Sequence, residues 1–144
     1  MTAIRLEQAE RIADVAFERG RELGLAPLTI AVLDPGGHLV LLKRQDGSGI
    51  LRGDVAIAKA WGPLAMGWPA QEVVARAENV PQFFSALTSL SGGRMLPVAG
   101  GVPAKDSAGE LVGSVGISGD TSANDQDCVV RGIEAAGLTP WLAV

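Results

Sequence analysis

Aromatic residues are scarce in this chain of 144 residues, which has three Phe, three Trp and no Tyr. Proteins that bind single-stranded nucleic acid use aromatic side chains as stacking platforms within a basic groove. The formal net charge of this chain is −4, and no stretch of it concentrates Lys and Arg. The composition therefore argues against a nucleic acid as the partner.

Long apolar segments are also missing. The longest nearly apolar stretch, residues 60–70, contains two prolines and is far shorter than the roughly 20 residues that a membrane-spanning helix needs. Residues 1–8 show no apolar core of a secretory signal peptide. We therefore expect a cytoplasmic protein that has no membrane partner.

The chain contains one cysteine and one histidine, which limits metal and nucleophilic chemistry. Cys128 is followed by apolar Val129 and Val130 in a predicted helix, so we expect a buried, inert thiol. Structural zinc sites need several Cys and His ligands, and no metal site is predicted here. His38 follows a tight turn, where an exposed surface histidine is the simpler interpretation; a ligand-binding or proton-transfer role is the alternative.

Glycine, by contrast, is abundant, with 19 residues, almost double the usual share of about 7%. The chain is 47% hydrophobic and only 19% charged, a balance opposite to that of disordered proteins. Because domains average roughly 150 residues, we expect a single domain over residues 1–144.

Two β-hairpins are predicted from turn chemistry. An apolar run, residues 29–34, leads into the turn Asp34-Pro-Gly-Gly, and residues 38–44 form the returning strand. Residues 102–104 and 111–118 flank a second turn, Asp106-Ser-Ala-Gly. In the last of these strands one face is predicted to carry Val112, Ser114, Gly116 and Ser118, mostly small side chains that would let another element approach closely.

Helices are predicted before, between and after the hairpins. Apolar residues recur every three or four positions over residues 6–23, and Gly24 ends that helix. Residues 51–66 are helical by propensity, with a kink or break expected at Gly62 because Pro63 follows.

Shorter helices are expected over residues 69–77 and 79–90, followed by a short strand over residues 95–99. Ser122 resembles the N-cap of a last helix that Gly137 ends, with Asp125 and Asp127 in its first turn. Consecutive hairpins pair antiparallel, so the order of elements predicts an α+β fold with a helix-covered sheet.

Lys59 lies in the most apolar helical context of the chain, Ala-Ile-Ala-Lys-Ala-Trp. We expect this side chain to be partly buried beside a carboxylate or an acidic ligand. Gly100 and Gly101 lie between two prolines in residues 97–103, where exposed backbone N–H groups could line an anion site or form a simple turn.

Five segments, in order along the chain, carry a family resemblance. They are Ala31-Val-Leu-Asp-Pro-Gly-Gly-His-Leu39, Arg44-Gln-Asp-Gly47, Asp54-Val-Ala-Ile-Ala-Lys-Ala60, Gly100-Gly-Val-Pro103 and Gly109-Glu-Leu-Val-Gly-Ser-Val-Gly-Ile-Ser-Gly119. Over residues 4 to about 138 the chain resembles the GlcG/HbpS family. This haem-binding-protein-like family also supplies the C-terminal domain of PduO-type cobalamin adenosyltransferases.

The resemblance implies a five-stranded antiparallel sheet with helices on both faces, an α/β/α sandwich of profilin-like type. It also implies homo-oligomers, from dimers to octamers, with small-molecule sites between subunits. Some family members bind haem, and several are found in operons for the catabolism of small oxygenated compounds. Haem needs an axial ligand such as His, Cys, Met or Tyr. Here His38 is the only histidine, and Met66 and Met95 are expected in the core.

Three functions remain open from the sequence. The favoured hypothesis is an oligomeric binding protein that holds haem or a related tetrapyrrole at a subunit interface, because no nucleophile–base pair or metal-ligand set is present. The second is a cofactor-free enzyme for a small acidic or oxygenated metabolite, in which Lys59 with Arg44 or Arg52 holds a carboxylate. The third is a structural subunit without a ligand. The candidates for ligand binding are Arg44, Arg52, Lys59, Gly100, Gly101, Ser118 and Asp120, and those for catalysis are His38, Asp46 and Lys59.

Overall fold

The computed structural model describes residues 2–144, and that part of the chain contains five helices and five strands. The helices are α1 (Leu6–Leu23), α2 (Arg52–Met66), α3 (Ala70–Asn79), α4 (Pro81–Leu90) and α5 (Ser122–Ala135). The strands are β1 (Thr29–Leu33), β2 (Leu39–Arg44), β3 (Gly101–Lys105), β4 (Leu111–Ser118) and β5 (Thr139–Pro140). Both predicted hairpins are present, as β1–β2 and β3–β4.

The five strands form one antiparallel sheet in the order β2-β1-β4-β3-β5. Helices α1 and α5 pack on one face of this sheet, and α2 crosses the other. The predicted fold class is therefore confirmed. None of the helices in residues 2–144 combines the length and the apolar character needed to span a bilayer.

The main core lies between the sheet and the pair α1 and α5. Ile12 of α1 and Ile133 of α5 are fully buried against Ile30, Val115 and Ile117 of the two central strands. Burying one such side chain contributes about 1.5–3 kcal/mol. The alternation of Val115 and Ile117 with small residues in β4 follows from this arrangement, because the large residues face α1 and α5.

Helix α2 lies unusually close to the other face of the sheet. Gly101 of β3 pairs with Gly116 of β4, and a Cβ on either would overlap a carbonyl group of α2, that of Lys59 or that of Ala56. The sequence predicts that the small-residue face of β4 lets another element approach closely. This prediction is confirmed, because the backbone of α2 packs directly on Gly116 of β4 and Gly101 of β3.

Helix α2 runs unbroken through Gly62 and Pro63, so of the predicted kink or break the break is absent. Proline at position 63 removes the N–H that would donate to the carbonyl of Lys59. That carbonyl points at Gly101, whose missing side chain leaves it room. The close contact with the sheet accommodates this carbonyl where the local sequence predicts a kink or a break.

Two further predictions need correction. Residues 95–99 form no strand; they run along α2, where the N–H of Leu96 donates to the carbonyl of Ala58 at 3.2 Å. The N-cap of α5 is Thr121 rather than Ser122, and its hydroxyl accepts from the N–H of Asn124 at 3.2 Å.

The turns of the two hairpins are stabilised by equivalent hydrogen bonds from backbone N–H groups to an aspartate side chain. Asp34 Oδ1 accepts the N–H groups of Gly36 and His38, each at 2.9 Å. Asp106 Oδ1 accepts those of Ala108 at 3.0 Å and Glu110 at 2.9 Å. His38 and Glu110 thus occupy equivalent positions after equivalent turns.

Candidate functional site

A buried ion pair connects α2 to the start of α5. Lys59 Nζ lies 3.3 Å from Asp125 Oδ2 and donates to the carbonyl of Ile117 at 3.0 Å. The Lys59 side chain is 5% exposed, and that of Asp125 is fully buried. The predicted burial of Lys59 beside a carboxylate is therefore confirmed, and Asp125, expected only to cap the helix, is that carboxylate.

Polar groups from four segments complete this cluster. Arg52 Nη1 donates to the hydroxyl of Ser118 at 3.0 Å, and the N–H of Asp120 donates to Asp125 Oδ1 at 3.1 Å. The Asp120 carboxylate accepts from the N–H of Ala26 and from the amide of Asn124. Of the predicted binding residues, the structure thus brings together Arg52, Lys59, Ser118 and Asp120.

Burial dominates the electrostatics of this pair. Desolvation lowers the pKa of Lys59, while the negative charge of Asp125 partly opposes that shift. Desolvation raises the pKa of Asp125, and the ammonium of Lys59 opposes it. Each charge is therefore tolerated chiefly because the other is present.

Gly100 and Gly101 do not form the exposed donor loop that the sequence suggested. Both are buried, Gly101 is part of β3, and the carbonyl of Gly100 accepts from the N–H of Ile117 at 2.9 Å. Their role is close packing, since a Cβ on Gly100 would stand 3.1 Å from Lys59 Nζ. Lys59 is thus enclosed by backbone, with its donors directed to Asp125 and Ile117.

Arg44 and Asp46 lie apart from the cluster around Lys59. They line a shallow cleft of about 530 Å³ with Leu25, Pro27 and Gln45 at the end of β2. Both side chains are exposed. Arg44 and His38 lie at opposite ends of β2. The candidates for catalysis and for carboxylate binding therefore do not converge on one catalytic centre; they are His38, Arg44, Asp46, Arg52 and Lys59.

His38 is exposed at the tip of the first hairpin, as predicted, with 80% of its side chain accessible. Its Nδ1 lies 3.2 Å from Asp34 Oδ1. Because an ionised carboxylate only accepts hydrogen bonds, a proton on Nδ1 would donate to Asp34 in this contact.

Trp61 packs against this hairpin at Gly37. The indole Nε1 of Trp61 lies 2.9 Å from the point where a Cβ on Gly37 would stand. The guanidinium of Arg94 stacks 4.7 Å from the centroid of that indole. Leu39, next to His38, is 50% exposed.

The exposed apolar side chains continue along β2 to the start of α2. Leu39 and Leu42 pair with residues of β1 that face α2, and Leu42 packs beside Gly53. Leu42 is 44% exposed, Leu51 67% and Ile50 93%. We call the surface made by Leu39, Leu42, Ile50 and Leu51 the β2 face. The hairpin pattern places Leu39 and Leu42 in a strand, but sequence alone did not show that this strand lies at the sheet edge.

The other sulfur-containing candidates lie inside the molecule. Met95 is buried with Val73 and Phe84, and Met66 packs against the same cluster. Cys128 is buried, and desolvation raises its pKa to about 11. The predictions of core methionines and of a buried thiol are confirmed.

The sequence of this chain matches a known protein family. The family model described as haem degrading protein HbpS-like matches residues 4–134, so the chain belongs to the HbpS-like family. Among curated proteins, an uncharacterized 15.0 kDa protein in the dhaT-dhaS intergenic region of Citrobacter freundii is 24% identical over 126 residues, which cover 88% of this chain and 87% of that protein.

Solved structures show the same fold. A complex of PduOC with haem has a TM-score of 0.82 and 24% identity, covering 95% of this chain and 97% of that chain. A double mutant of Streptomyces reticuli HbpS has a TM-score of 0.77 and 27% identity, covering 93% and 87%. The ORFY protein of Klebsiella pneumoniae has a TM-score of 0.83 and 23% identity, covering 94% and 92%.

Proposed function

We propose that this chain is a ligand-binding protein that holds haem or a related tetrapyrrole at the hairpin tip, between two copies of itself. The observation that carries the proposal is the exposed imidazole of His38 on a hairpin whose Gly37 lies against Trp61, with Arg94 stacked on that indole and Leu39 exposed next in sequence. A haem needs an axial ligand, for which histidine is suitable, together with apolar contacts for its ring and cations for its propionates. The hairpin tip offers all three.

The β2 face supports the involvement of a second copy. One chain alone leaves the hairpin tip open to solvent on the side of His38. Leu39 and Leu42 on the edge strand, and Ile50 and Leu51 just before α2, expose apolar side chains, a combination that favours association. A second copy on this surface would cover a haem bound at the adjacent tip.

Membership of the HbpS-like family supports the same function. The description of that family names a haem degrading protein, and one structurally similar protein was solved as a complex with haem. When bound, the haem iron would supply redox and oxygen chemistry. The chain's own contribution would be to bind the ring, orient the iron and exclude water.

The hypothesis of a cofactor-free enzyme has less support. It relies on Lys59 to hold a substrate carboxylate, but Lys59 is buried and its charge is already paired with Asp125. Arg44 and Asp46, which remain exposed, lie at the far end of β2 from His38.

Titration of the haem-free protein with haemin, followed by the Soret band, tests the proposal. We expect saturation near one haem per chain or per pair of chains. Leu39→Asp should weaken binding at least tenfold, whereas Leu90→Asp, which places the same charge at an exposed leucine of α4, should leave binding unchanged. A Soret band that does not saturate would overturn the proposal, as would equal affinities of the two variants.

A further inference from the structure

We propose that two copies of this chain join by antiparallel pairing of their β2 strands, with the two-fold axis passing between the two Leu42 residues. The sheet of each copy then continues into that of the other. The inference rests on the proposed function in one respect, the presence of a second copy on the β2 face. It adds how the copies are joined and which segment of the partner reaches the hairpin tip.

One edge of β2 has no strand partner, because β2 stands at the end of the sheet order β2-β1-β4-β3-β5. The N–H of Gln45 donates to the carbonyl of Leu28 at 2.9 Å, which makes these two residues a hydrogen-bonded pair. Bonded and non-bonded pairs alternate along an antiparallel ladder. Lys43 is therefore bonded to β1, whereas Leu42 and Arg44 turn their N–H and C=O groups outward. Such a row of backbone groups is a template for a further strand.

The two edges of the sheet differ in how well they are protected against strand addition. At one edge β5 has only two residues, one of which is Pro140. Short strands and proline both discourage pairing, as do charged side chains. At the other edge β2 has six residues and no proline. Its Lys43 is held by α1, since Nζ lies 2.7 Å from Glu10 and 3.5 Å from Asp14, and Leu42 beside it is 44% exposed.

Charge selects the register. The ladder of β2 is regular from Leu41 to Arg44 and shifts toward the tip, which confines pairing to the outward groups of Leu42 and Arg44. Two copies can then set Leu42 against Leu42, Leu42 against Arg44, or Arg44 against Arg44. The second arrangement places Lys43 opposite Lys43, and the third places Arg44 opposite Arg44; like charges directly opposite destabilise a sheet. Of the three, only the first keeps these cations apart, because Lys43 then faces the partner's Leu41.

This register also brings the partner to the hairpin tip. Counting four residues outward from Leu42 in each direction, Asp46 of one copy comes about level with the partner's His38. Both side chains are exposed in a single chain, and a carboxylate complements an imidazole. The segment that follows β2 in the partner therefore begins beside the tip. It carries Ile50 and Leu51, which are 93% and 67% exposed.

A cysteine on the axis tests the pairing and its register. Facing residues of a hydrogen-bonded antiparallel pair have Cα atoms about 5.5 Å apart, a distance that a disulfide spans. We expect haem-free Leu42→Cys to form a linked dimer on mild oxidation at least tenfold faster than Arg44→Cys. The two Arg44 positions are separated by roughly 14 Å along the strands. The native Cys128 is buried, and the wild type serves as its control. Equal rates, faster linkage of Arg44→Cys, or no linkage of either would overturn the pairing.

Amide hydrogen exchange of the wild type gives a second measurement without a cysteine. The N–H of Lys43 is bonded to β1 in one copy or two, so it is protected in both states. The N–H of Leu42 is protected only in the paired dimer. We expect it to exchange at least tenfold more slowly than a solvent-exposed amide. Leu42→Pro removes this donor at an outward position that an edge strand tolerates, and it should sediment as a monomer while Leu42→Ala still associates. Fast exchange at Leu42 in the wild type would contradict the proposal.

The pairing and the haem function fail separately. A wild type whose Soret band saturates with haemin, but whose Leu42 amide is unprotected and whose Leu42→Cys variant stays unlinked, refutes the pairing alone. A chain that links through Leu42→Cys but gives no saturable Soret band refutes the proposed function and retains the paired sheet.

Discussion

Lys59 and Asp125 show how a charged side chain can belong to the interior. Their exposed fractions of 5% and zero leave both charges without water. Desolvation lowers the pKa of Lys59 and raises that of Asp125, so either group alone would be driven toward its neutral form. Together they connect α2 to α5 across the end of β4.

Removing one partner should therefore be costly. We expect Lys59→Met to lower the free energy of unfolding by about 3–5 kcal/mol, because Asp125 is left as an uncompensated buried charge. Urea denaturation measures this. Lys43→Met is the matched control, since Lys43 lies 2.7 Å from Glu10 but is 37% exposed, and its loss should be about 0–1 kcal/mol.

The double variant Lys59→Met, Asp125→Leu should recover part of the stability, since no charge is then stranded in the interior. Equal losses in Lys59→Met and Lys43→Met would contradict this description of the pair.

At the residue scale the sequence predicts environments better than partners. The apolar neighbours of Lys59 predict its burial, and the turn before His38 predicts its exposure. Asp125 lies 66 positions from Lys59 along the chain, and no local pattern connects the two. Asp34 was predicted as a turn residue only, because its contact with the imidazole depends on side-chain orientation.

The packing of α2 against the sheet depends on glycine. Gly116 lies under the helix where a Cβ would overlap the carbonyl of Ala56. The helix can only accept a side chain there by moving away from β3 and β4 together, since both strands contact it.

Gly116→Ala should accordingly destabilise the protein by about 1–3 kcal/mol through overpacking. Gly49→Ala is the control, because its added Cβ would meet Arg52 Cγ at an ordinary 3.8 Å. Thermal or urea denaturation compares them. If the two variants were equally stable, the close approach of α2 would not be the reason for glycine at position 116.

The first hairpin should contribute to the acid sensitivity of the fold. Backbone N–H groups, chiefly that of His38, lower the pKa of Asp34 in the folded state, so the unfolded chain takes up this proton first as pH falls. Stability present above the unfolded value is therefore lost as pH decreases through the folded pKa.

Asp34→Asn removes that titration, and its free energy of unfolding should decline less steeply than that of the wild type below about pH 4. Denaturation at a series of pH values gives the two curves. Parallel acid limbs would show that Asp34 does not contribute.

At the element scale, turn signals located both hairpins and apolar periodicity located α1. The local sequence around Pro63 did not predict that α2 continues. The contact with Gly101 that accommodates the carbonyl of Lys59 comes from β3, about 40 positions away along the chain. Residues 95–99 look extended and apolar, but they lie against α2 and the small α3–α4 core rather than in the sheet.

The whole molecule combines a well-packed core with an open apolar edge. The order of hairpins and helices sufficed to predict an antiparallel α+β fold, because consecutive hairpins allow few topologies. The position of β2 at the sheet edge depends on β1 pairing with β4, which is a long-range property. The sequence therefore does not predict that the β2 face lies at an open edge of the sheet, next to the hairpin tip.

Sedimentation velocity recorded at the Soret wavelength tests the central claim most directly, because it reports haem and assembly together. For the wild-type chain of 14.8 kDa, we predict that the haem absorption sediments with a species larger than the monomer. Ile50→Asp with Leu51→Asp should yield monomers that carry little haem, whereas Leu90→Asp should behave as wild type. Haem that sediments with a monomeric wild-type chain, or without any protein, would contradict a haem site between two copies.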